Sequence, residues 1–382
     1  MLRYIDVVKE VEKIAWPKPM KLFTAGPVAC FPEVLEAMKI QMFSHRSKEY
    51  QEIHRDTALR LARFLEAEKS TILLIPSSGT GFMEASVRNA VSPGGKVLVT
   101  IIGEFGNRYR EAVERNGRKP VILEKPLGKP VLPEELDEAL KKNPDVEAVT
   151  ITYNETSTGV LNPLRELAKV AKERGKMVFV DAVSAMGAAD IKVDAWEIDL
   201  VFSSSQKAFG VPPGLAMAAV SEGVFEKAKA IPDRGLYFDL LEMKDVLVKQ
   251  WSTPTTPPMP QIIGLNVVLR IIERMGGKDA WLKMYAERAE RIRRGALDLG
   301  LRLFAEPGYY SPTITVIYNP PGIKGPVIYE ELRKRGIEIA KGYGKVKDDT
   351  FRIGHMGYIT DEDIVLLFST LREVLSTIKS KS

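Results

Sequence analysis

Residues 199–220 read DLVFSSSQKAFGVPPGLAMAAV, in which one lysine stands between two apolar runs. Both runs are nearly continuous in apolar residues, which is typical of strands covered on both faces. Lys207 is the only charged residue from Leu200 to Val220. Burial lowers the pKa of a lysine, and a neutral amine is a nucleophile. The pattern therefore predicts either a chemically used amine or, as the plainer alternative, a lysine at a turn after a strand.

Five further apolar runs of this kind precede that stretch. They are TILLI (71–75), KVLVTII (96–102), PVILE (120–124), EAVTIT (147–152) and MVFV (177–180). Helical patterns such as FMEASVRNAV and LRELAKVAKERG lie between them. Alternation at this spacing predicts βαβ units, an α/β fold and a mainly parallel sheet. Ligands in such sheets bind beyond the carboxyl ends of the strands.

The pattern changes after the Pro/Thr-rich segment WSTPTTPPMP (251–260), which cannot hold a regular helix or a central strand. Helical patterns then alternate with the apolar runs TITVIY and TFRIGHMG, and a final helix is predicted from Asp361. A chain of 382 residues is expected to form two domains. We predict an N-terminal arm (1–20), a large domain (21–260) and a smaller α+β C-terminal domain (261–382).

The composition argues against several classes of function. Hydrophobic residues make up 45% and charged residues 27%, as in ordinary globular proteins. The net charge of +5 is spread thinly, and its basic runs lack interleaved aromatic residues, so nucleic-acid binding is not predicted. No run approaches the ~18 apolar residues of a membrane span. Cys30 is the single cysteine, which fits a reducing compartment. We expect a cytoplasmic protein without a metal site.

A candidate phosphate site follows the run TILLIP. The segment SSGTGFMEAS (77–86) opens a predicted helix, so its glycines and hydroxyls would present free backbone N–H groups at the helix N-terminus. Ser, Thr and Gly also cap helices that bind nothing. The segment lacks the lysine of a P-loop, which argues against a nucleoside triphosphate.

An acid joins this pattern at the end of a neighbouring strand. Asp181 directly follows MVFV, where a carboxylate without a partner would be costly to bury. A helix N-cap is the plainer explanation of Asp181. A phosphate site, an acid and an isolated lysine at one sheet edge together match pyridoxal 5′-phosphate (PLP), which needs all three groups.

Three sequence blocks also carry a family resemblance. They are ETSTG (155–159), VDAVSA (180–185) and SQKA (205–208). Together they resemble the class V aminotransferases of the fold-type I PLP enzymes, in particular the alanine-glyoxylate and serine-pyruvate (serine-glyoxylate) group. The similarity runs from LFTAGP at residue 22 to FRIGHMG at residue 351. It implies a large domain with a mainly parallel seven-stranded sheet and a smaller C-terminal domain.

The resemblance implies a role for individual residues. Lys207 would bind the PLP aldehyde covalently, Asp181 would pair with the pyridine nitrogen, and Arg352 would hold the substrate α-carboxylate as a planar fork. Other cofactor contacts implied in this way are Ser78, Gly79, Thr80, Phe105, Thr156 and Gln206, with Thr256 reaching the phosphate of the partner subunit in a homodimer.

Three positions depart from the family pattern. Phe105 stands where relatives often have Trp, so stacking on the pyridine is retained with less surface. Thr253 stands where relatives can have Tyr, and Tyr153 where they often have His. The phosphate contact expected at residue 253 is therefore in doubt.

The substrate is less well defined than the cofactor. GPVACFP (26–32) would bring the backbone at Gly26 close to the substrate, and a small pocket suits alanine, serine or glycine with glyoxylate or pyruvate. His45 and Arg46, in SHRSKEYQEIH, form a possible anion pair; a similar stretch serves the substrate phosphate in phosphoserine aminotransferases. The alternative is that both residues anchor a dimer interface.

The sequence thus predicts a PLP-dependent aminotransferase with ping-pong kinetics, acting on a small amino acid and a 2-oxo acid. Phosphoserine with 2-oxoglutarate is the alternative substrate pair. A lyase such as a cysteine desulfurase would need a nucleophilic cysteine in the C-terminal half, where this chain has none. A non-catalytic PLP-binding protein would not need Arg352.

Overall fold

The apolar runs of the sequence become strands in the computed structural model, which describes residues 18–379. The strands of this range are β1 (Lys21–Phe23), β2 (Thr71–Pro76), β3 (Lys96–Ile101), β4 (Lys119–Glu124), β5 (Val146–Thr152), β6 (Asn154–Glu155), β7 (Val160–Leu161), β8 (Met177–Asp181), β9 (Leu200–Ser204), β10 (Leu215–Val220), β11 (Ile314–Tyr318), β12 (Ile337–Lys341) and β13 (Thr350–Gly354). Each predicted apolar run coincides with a strand.

Helices connect these strands within the same range. They are α1 (Pro32–Ala37), α2 (Lys48–Leu65), α3 (Gly79–Ala90), α4 (Glu104–Arg115), α5 (Pro133–Lys142), α6 (Leu164–Glu173), α7 (Glu222–Lys229), α8 (Leu240–Gln250), α9 (Met259–Arg274), α10 (Gly277–Asp298), α11 (Val327–Lys334) and α12 (Asp361–Lys379). None of them combines the length and the apolar character that crossing a bilayer requires.

The predicted large sheet is confirmed. Among the described residues it has seven strands in the order β2–β10–β9–β8–β5–β3–β4. The pairs β9–β8, β8–β5, β5–β3 and β3–β4 are parallel, whereas β10 runs antiparallel to both of its neighbours. The carboxyl ends of the remaining six strands therefore meet at one edge, which is where ligands bind in such folds.

Both faces of this sheet are buried, as the continuous apolar runs predict. Side chains alternate between two cores along each strand. In β9, Val201 belongs to one core while Leu200 and Phe202 belong to the other. Helices cover each face, so the sheet is a rigid support for the loops at its carboxyl edge.

A second sheet forms in the C-terminal part of the chain. Its strand order among the described residues is β1–β12–β13–β11, and its core includes Phe23, Ile292 and Phe351. The strand β1 thus pairs with β12, although its residues lie in the range predicted for the large domain. Conversely, Leu265 in α9 and Trp281 in α10 pack in the core of the large sheet, although both lie beyond residue 260. The predicted domain boundaries remain a prediction.

Within the small sheet, β13 passes close to the segment after β1. A methyl group built on Gly354 would collide with the carbonyl oxygen of Thr24, so the backbones approach as closely as glycine permits. His355, directly after Gly354, is fully buried and hydrogen-bonds Thr315. Both contacts fix β13 within the small sheet, since Thr24 follows β1 and Thr315 lies on β11.

Replacing Gly354 by alanine should therefore destabilise the protein. We expect Gly354→Ala to lower the free energy of unfolding by about 1–3 kcal/mol, because overpacking forces backbone shifts. Gly223→Ala is a matched control, since a methyl group there meets nothing closer than 3.6 Å. Urea denaturation measures both variants. Equal stability of the two variants would contradict the close approach.

Candidate active site

A cavity of about 250 Å³ lies at the carboxyl edge of the large sheet. Its wall is formed by Ser78, Gly79, Thr80, Met83, Phe105, Arg108, Asn154, Thr156, Asp181, Val183, Ser184, Ser204, Gln206 and Lys207. The loops after five strands meet here, because those strands end at the same edge. Eight of these residues are ones that the sequence predicted.

Lys207 is half-buried in the loop between β9 and β10. Its Nζ donates to the carbonyl oxygen of Ala25 at 2.5 Å, and Tyr285 in α10 donates to the carbonyl oxygen of Ala208 at 2.6 Å. Burial, followed by the positive charge of Arg352, lowers the pKa of Lys207 to about 8. The lysine predicted from its isolation thus has an amine that is neutral in about a tenth of molecules at pH 7.

Gly26 brings the backbone against this amine, whereas the sequence predicted that it lies close to the substrate. Its φ is +110°, and a Cβ built there would lie 2.8 Å from the Nζ of Lys207. A side chain at this position would displace the lysine. Gly26 follows β1, so the small sheet delivers this contact to the edge of the large one.

Asp181 ends β8 and is 3% exposed. Its Oδ1 accepts a hydrogen bond of 2.9 Å from the backbone N–H of Val183. Burial raises the pKa of Asp181 to about 7, an increase that the Val183 donor opposes. The carboxyl is therefore poised to exchange a proton near neutral pH, and a cation beside it would hold it ionised.

The predicted phosphate site opens helix α3. Ser78 is its N-cap in an extended conformation, and no side chain caps the helix. A methyl group at Gly79 would collide with Val183, so only glycine allows this approach. The N-terminal N–H groups of α3 thus face the cavity with the positive end of the helix dipole.

Three buried oxygen atoms of the cavity wall have no hydrogen-bond partner among the described residues. They are Oδ1 of Asn154, Oγ of Ser204 and Oε1 of Gln206. Buried polar atoms are rarely left unpaired in a native protein. Together with the open end of α3, they indicate a polar ligand that fills the cavity.

Thr156 is buried between the cavity and the small sheet. Its Oγ1 donates to the hydroxyl of Ser184 at 2.8 Å, and that hydroxyl also accepts from the amide of Asn154 at 2.8 Å. The carbonyl oxygen of Thr156 accepts from Nη1 of Arg352 at 3.0 Å. One residue thus joins the cavity wall to β13.

Phe105 lies in the first turn of α4, which Glu155 fixes in place. The fully buried carboxylate of Glu155 accepts from the N–H groups of Phe105 at 3.1 Å and Gly106 at 3.2 Å, and also from the N–H and hydroxyl of Ser157. Burial raises the pKa of Glu155, and these donors oppose the rise. Glu155 is therefore a positioning residue for Phe105 that the sequence reasoning missed.

Arg352 lies on β13 and is 8% exposed. Its Nε donates to the carbonyl oxygen of Lys341 at 2.7 Å, in addition to the bond with Thr156. Burial lowers its pKa to about 10. Within residues 18–379 no carboxylate forms an ion pair with it, although Glu155 is close enough to raise its pKa.

Three other predicted residues, His45, Arg46 and Thr256, lie outside this cavity. His45 is half-buried near Ser252, Arg46 is exposed, and Thr256 is exposed after α8. None of the three lines the cavity. Two residues that depart from the family pattern also make hydrogen bonds away from the cavity. The hydroxyl of Tyr153 donates to the carbonyl oxygen of Asp190, and the hydroxyl of Thr253 donates to the carbonyl oxygen of Thr255.

Several cavity residues were missed by the sequence reasoning besides Glu155. They include Asn154, Ser184 and Arg108, together with Tyr343, which contacts the wall residues Phe105 and Arg108. Asn154 and Glu155 adjoin the predicted Thr156, and Arg108 follows Phe105 by one helical turn. Those spacings were the available signal, whereas Tyr343 reaches the site only through the packing of the two sheets.

The profile of the family Aminotransferase class-V matches residues 22–367. The chain belongs to the class-V aminotransferases. It is a PLP-dependent transaminase of the fold-type I architecture, so the predicted family, cofactor and enzyme class are confirmed.

Similar proteins span nearly the whole chain. An uncharacterized aminotransferase of Methanocaldococcus jannaschii is 34% identical over 94% of this chain and 91% of its own length. A serine–glyoxylate aminotransferase of Methylorubrum extorquens is 30% identical over 89% of this chain and 87% of its own. The crystal structure of an alanine–glyoxylate aminotransferase from Nostoc sp. has a TM-score of 0.89 and 29% identity, covering 95% of this chain and 97% of that one.

The cavity fits the cofactor of this class-V enzyme. The open N-terminus of α3, with the unpaired hydroxyl of Ser204, offers donors for a phosphate. Asp181 offers a buried carboxyl for a ring nitrogen, and Lys207 an amine with a lowered pKa for an aldehyde.

The amine of Lys207 should titrate well below an ordinary lysine in the apoenzyme. Only the neutral amine is acylated, so labelling of Lys207 by acetic anhydride should rise with pH around a midpoint of about 8, against an ordinary value of 10.5. Arg352→Gln removes a positive charge and should move the midpoint upward. Mass spectrometry of the Lys207 peptide measures it. A wild-type midpoint near 10.5 would contradict the assigned environment.

Removing the carboxylate of Glu155 should loosen the start of α4. In Glu155→Gln the amide nitrogen cannot accept, which leaves buried N–H groups unpaired at a cost of about 1–3 kcal/mol. We expect a matching loss of unfolding free energy and weaker PLP binding by the apoenzyme. Glu111→Gln on the exposed side of the same helix is the control. The positioning role is wrong if both variants behave alike.

Proposed function

We propose that this class-V enzyme transfers the amino group of alanine or serine to glyoxylate or pyruvate. The observation that carries the proposal is the guanidinium of Arg352. It is buried beside Lys207, has no carboxylate partner within residues 18–379, and uses two of its five N–H donors on backbone carbonyls. Such a group stabilises a carboxylate strongly, because a buried cation without a counter-charge is costly.

The chain's residues then have defined tasks around PLP. When bound, PLP supplies an electrophilic aldehyde and a ring that withdraws electrons from the substrate Cα. Asp181 would hold a proton at the ring nitrogen, and Phe105 would stack on the ring. Lys207, whose pKa burial lowers to about 8, would accept the Cα proton as general base near neutral pH. Arg352 would orient that Cα–H bond toward Lys207 by holding the α-carboxylate.

The preference for small substrates rests on the surroundings of Arg352. Tyr343 lies over its guanidinium, with 5.3 Å between the guanidinium carbon and the ring centre, and stacks on Phe105. Gly26 brings the backbone against Lys207 from the other sheet. Relatives named for serine and alanine as donors, both with glyoxylate as acceptor, support this choice.

Phosphoserine remains the alternative donor. That hypothesis depends on His45 and Arg46, which lie outside the cavity of their own chain and would have to come from a partner subunit. We also propose a homodimer in which the exposed Thr256 reaches the partner's phosphate site. A cysteine-dependent lyase is disfavoured, since burial raises the pKa of the Cys30 thiol and Cys30 does not line the cavity. The single cysteine supports a cytoplasmic location.

A half-reaction screen tests this function directly. Purified holoenzyme receives L-alanine, L-serine, O-phospho-L-serine or L-glutamate singly, and the visible absorption of bound PLP is followed. We expect rapid loss of the band with alanine or serine and its recovery on adding glyoxylate or pyruvate. Lys207→Ala should abolish the band's response, because the general base is lost. Conversion mainly by phosphoserine and glutamate would favour the alternative.

Arg352→Gln should raise the KM for alanine by about 100-fold, since a charge-assisted bond to the carboxylate is lost. Arg302→Gln is the matched control. Arg302 also lies over a tyrosine ring, at 3.9 Å from Tyr318, but does not line the cavity. An unchanged KM in Arg352→Gln would refute the role of Arg352.

A further inference from the structure

Arg108 is a cation of the cavity wall that the proposed transfer of alanine or serine does not use. It follows Phe105 by one turn of α4, so both side chains project from one face of the helix. Its guanidinium carbon lies 5.0 Å from the centre of the Phe105 ring. Within residues 18–379 no carboxylate forms an ion pair with Arg108, whereas Arg110 and Arg115 of the same helix each pair with a glutamate.

A single tyrosine contacts both Arg108 and Arg352. The hydroxyl of Tyr343 accepts from Nη2 of Arg108 at 3.4 Å, and the ring of Tyr343 lies under the guanidinium of Arg352. The ring is also stacked on Phe105, with 6.1 Å between centroids and 20° between planes. The two guanidinium groups therefore lie on the same side of the cavity, about one tyrosine side chain apart.

Neither acid of the site neutralises Arg108. The carboxylate of Glu155 is occupied by the N–H groups that open α4, and Asp181 is bound to the N–H of Val183. Arg108 is nonetheless close enough to lower the pKa values of both Asp181 and Lys207. Arg108 in the cavity wall and Arg352 beside Tyr343 are thus two cations that form no ion pair with a carboxylate of the described residues.

We infer that Arg108 binds a second carboxylate, on the side chain of the substrate, so that the enzyme also accepts a short dicarboxylic amino acid such as L-aspartate. The inference rests on the proposed function, because Arg352 must hold the α-carboxylate. With glyoxylate as acceptor, aspartate gives oxaloacetate and glycine. One amino group and one oxo oxygen change places, so no oxidant or reductant is needed.

The cofactor phosphate is the other anion that Arg108 could meet. The two ligands are distinguishable, because a phosphate contact acts on PLP affinity, whereas a side-chain carboxylate contact acts on dicarboxylic substrates alone. Succinate is a suitable probe, since it has the two carboxylates of aspartate and no amino group to react. Acetate is the monocarboxylate comparison.

The test compares Arg108→Gln with Arg110→Gln, which removes an arginine paired with Glu114 on the outer side of the same helix. Three quantities are measured: the second-order half-reaction rates with L-aspartate and L-alanine, the Kd of succinate and acetate for the holoenzyme by calorimetry, and the Kd of PLP for the apoenzyme. Arg108→Gln should lower the aspartate rate and weaken succinate binding by about 10- to 100-fold, with losses under about threefold for alanine and acetate.

Other results overturn the inference. Equal losses for aspartate and alanine would make Arg108 a structural residue, and weaker PLP binding with an unchanged aspartate-to-alanine ratio would assign Arg108 to the phosphate. A wild-type enzyme that reacts with alanine but not aspartate would also overturn it. Failure of the proposed function is a separate result, since the wild-type holoenzyme would then react with neither alanine nor serine, whatever its rate with aspartate.

Discussion

The hydrogen bond from Arg352 to the carbonyl oxygen of Thr156 ties the small sheet to the carboxyl edge of the large one. Thr156 belongs to the wall of the cavity that we assign to PLP, and the guanidinium of Arg352 is the group that we assign to the substrate. Within the small sheet, only glycine at position 354 lets β13, which carries Arg352, pass so close to Thr24. Substrate recognition and cofactor binding therefore depend on one joint between two sheets.

Burial of Asp181 and Lys207 determines the electrostatics of the site. The same desolvation that raises the pKa of Asp181 lowers the pKa of Lys207, and the two values approach neutrality from opposite sides. In the proposed mechanism a cationic ring nitrogen would hold Asp181 ionised, while the lowered pKa of Lys207 suits it to act as a base. Four donors occupy the carboxyl group of Glu155 and oppose the rise of its pKa, so Glu155 forms no ion pair with Arg108 or Arg352.

Much of this arrangement was predictable because it follows the strand order. Ser78, Asp181 and Lys207 each follow an apolar run directly, and parallel strands bring such residues to one edge whatever the rest of the chain does. The pairing of β1 with β12 was not predictable, since three residues of strand carry no periodic signal. Glu155 was missed for a similar reason: a buried carboxylate that caps a distant helix looks like any other acid in a loop.

The sequence by itself determined the large sheet, its buried faces and the three groups that we assign to PLP, because local apolar patterning and strand direction fix them. Arg352 and Gly26 were expected from the sequence, but only the tertiary structure decided how they and Tyr343 face those groups from the second sheet. Tyr343, Arg352 and the backbone at Gly26 come from segments more than a hundred residues away from Lys207 along the chain. Whether these residues come together depends on how closely the two sheets pack. Close packing involves distant parts of the chain, so no local stretch of sequence predicts it.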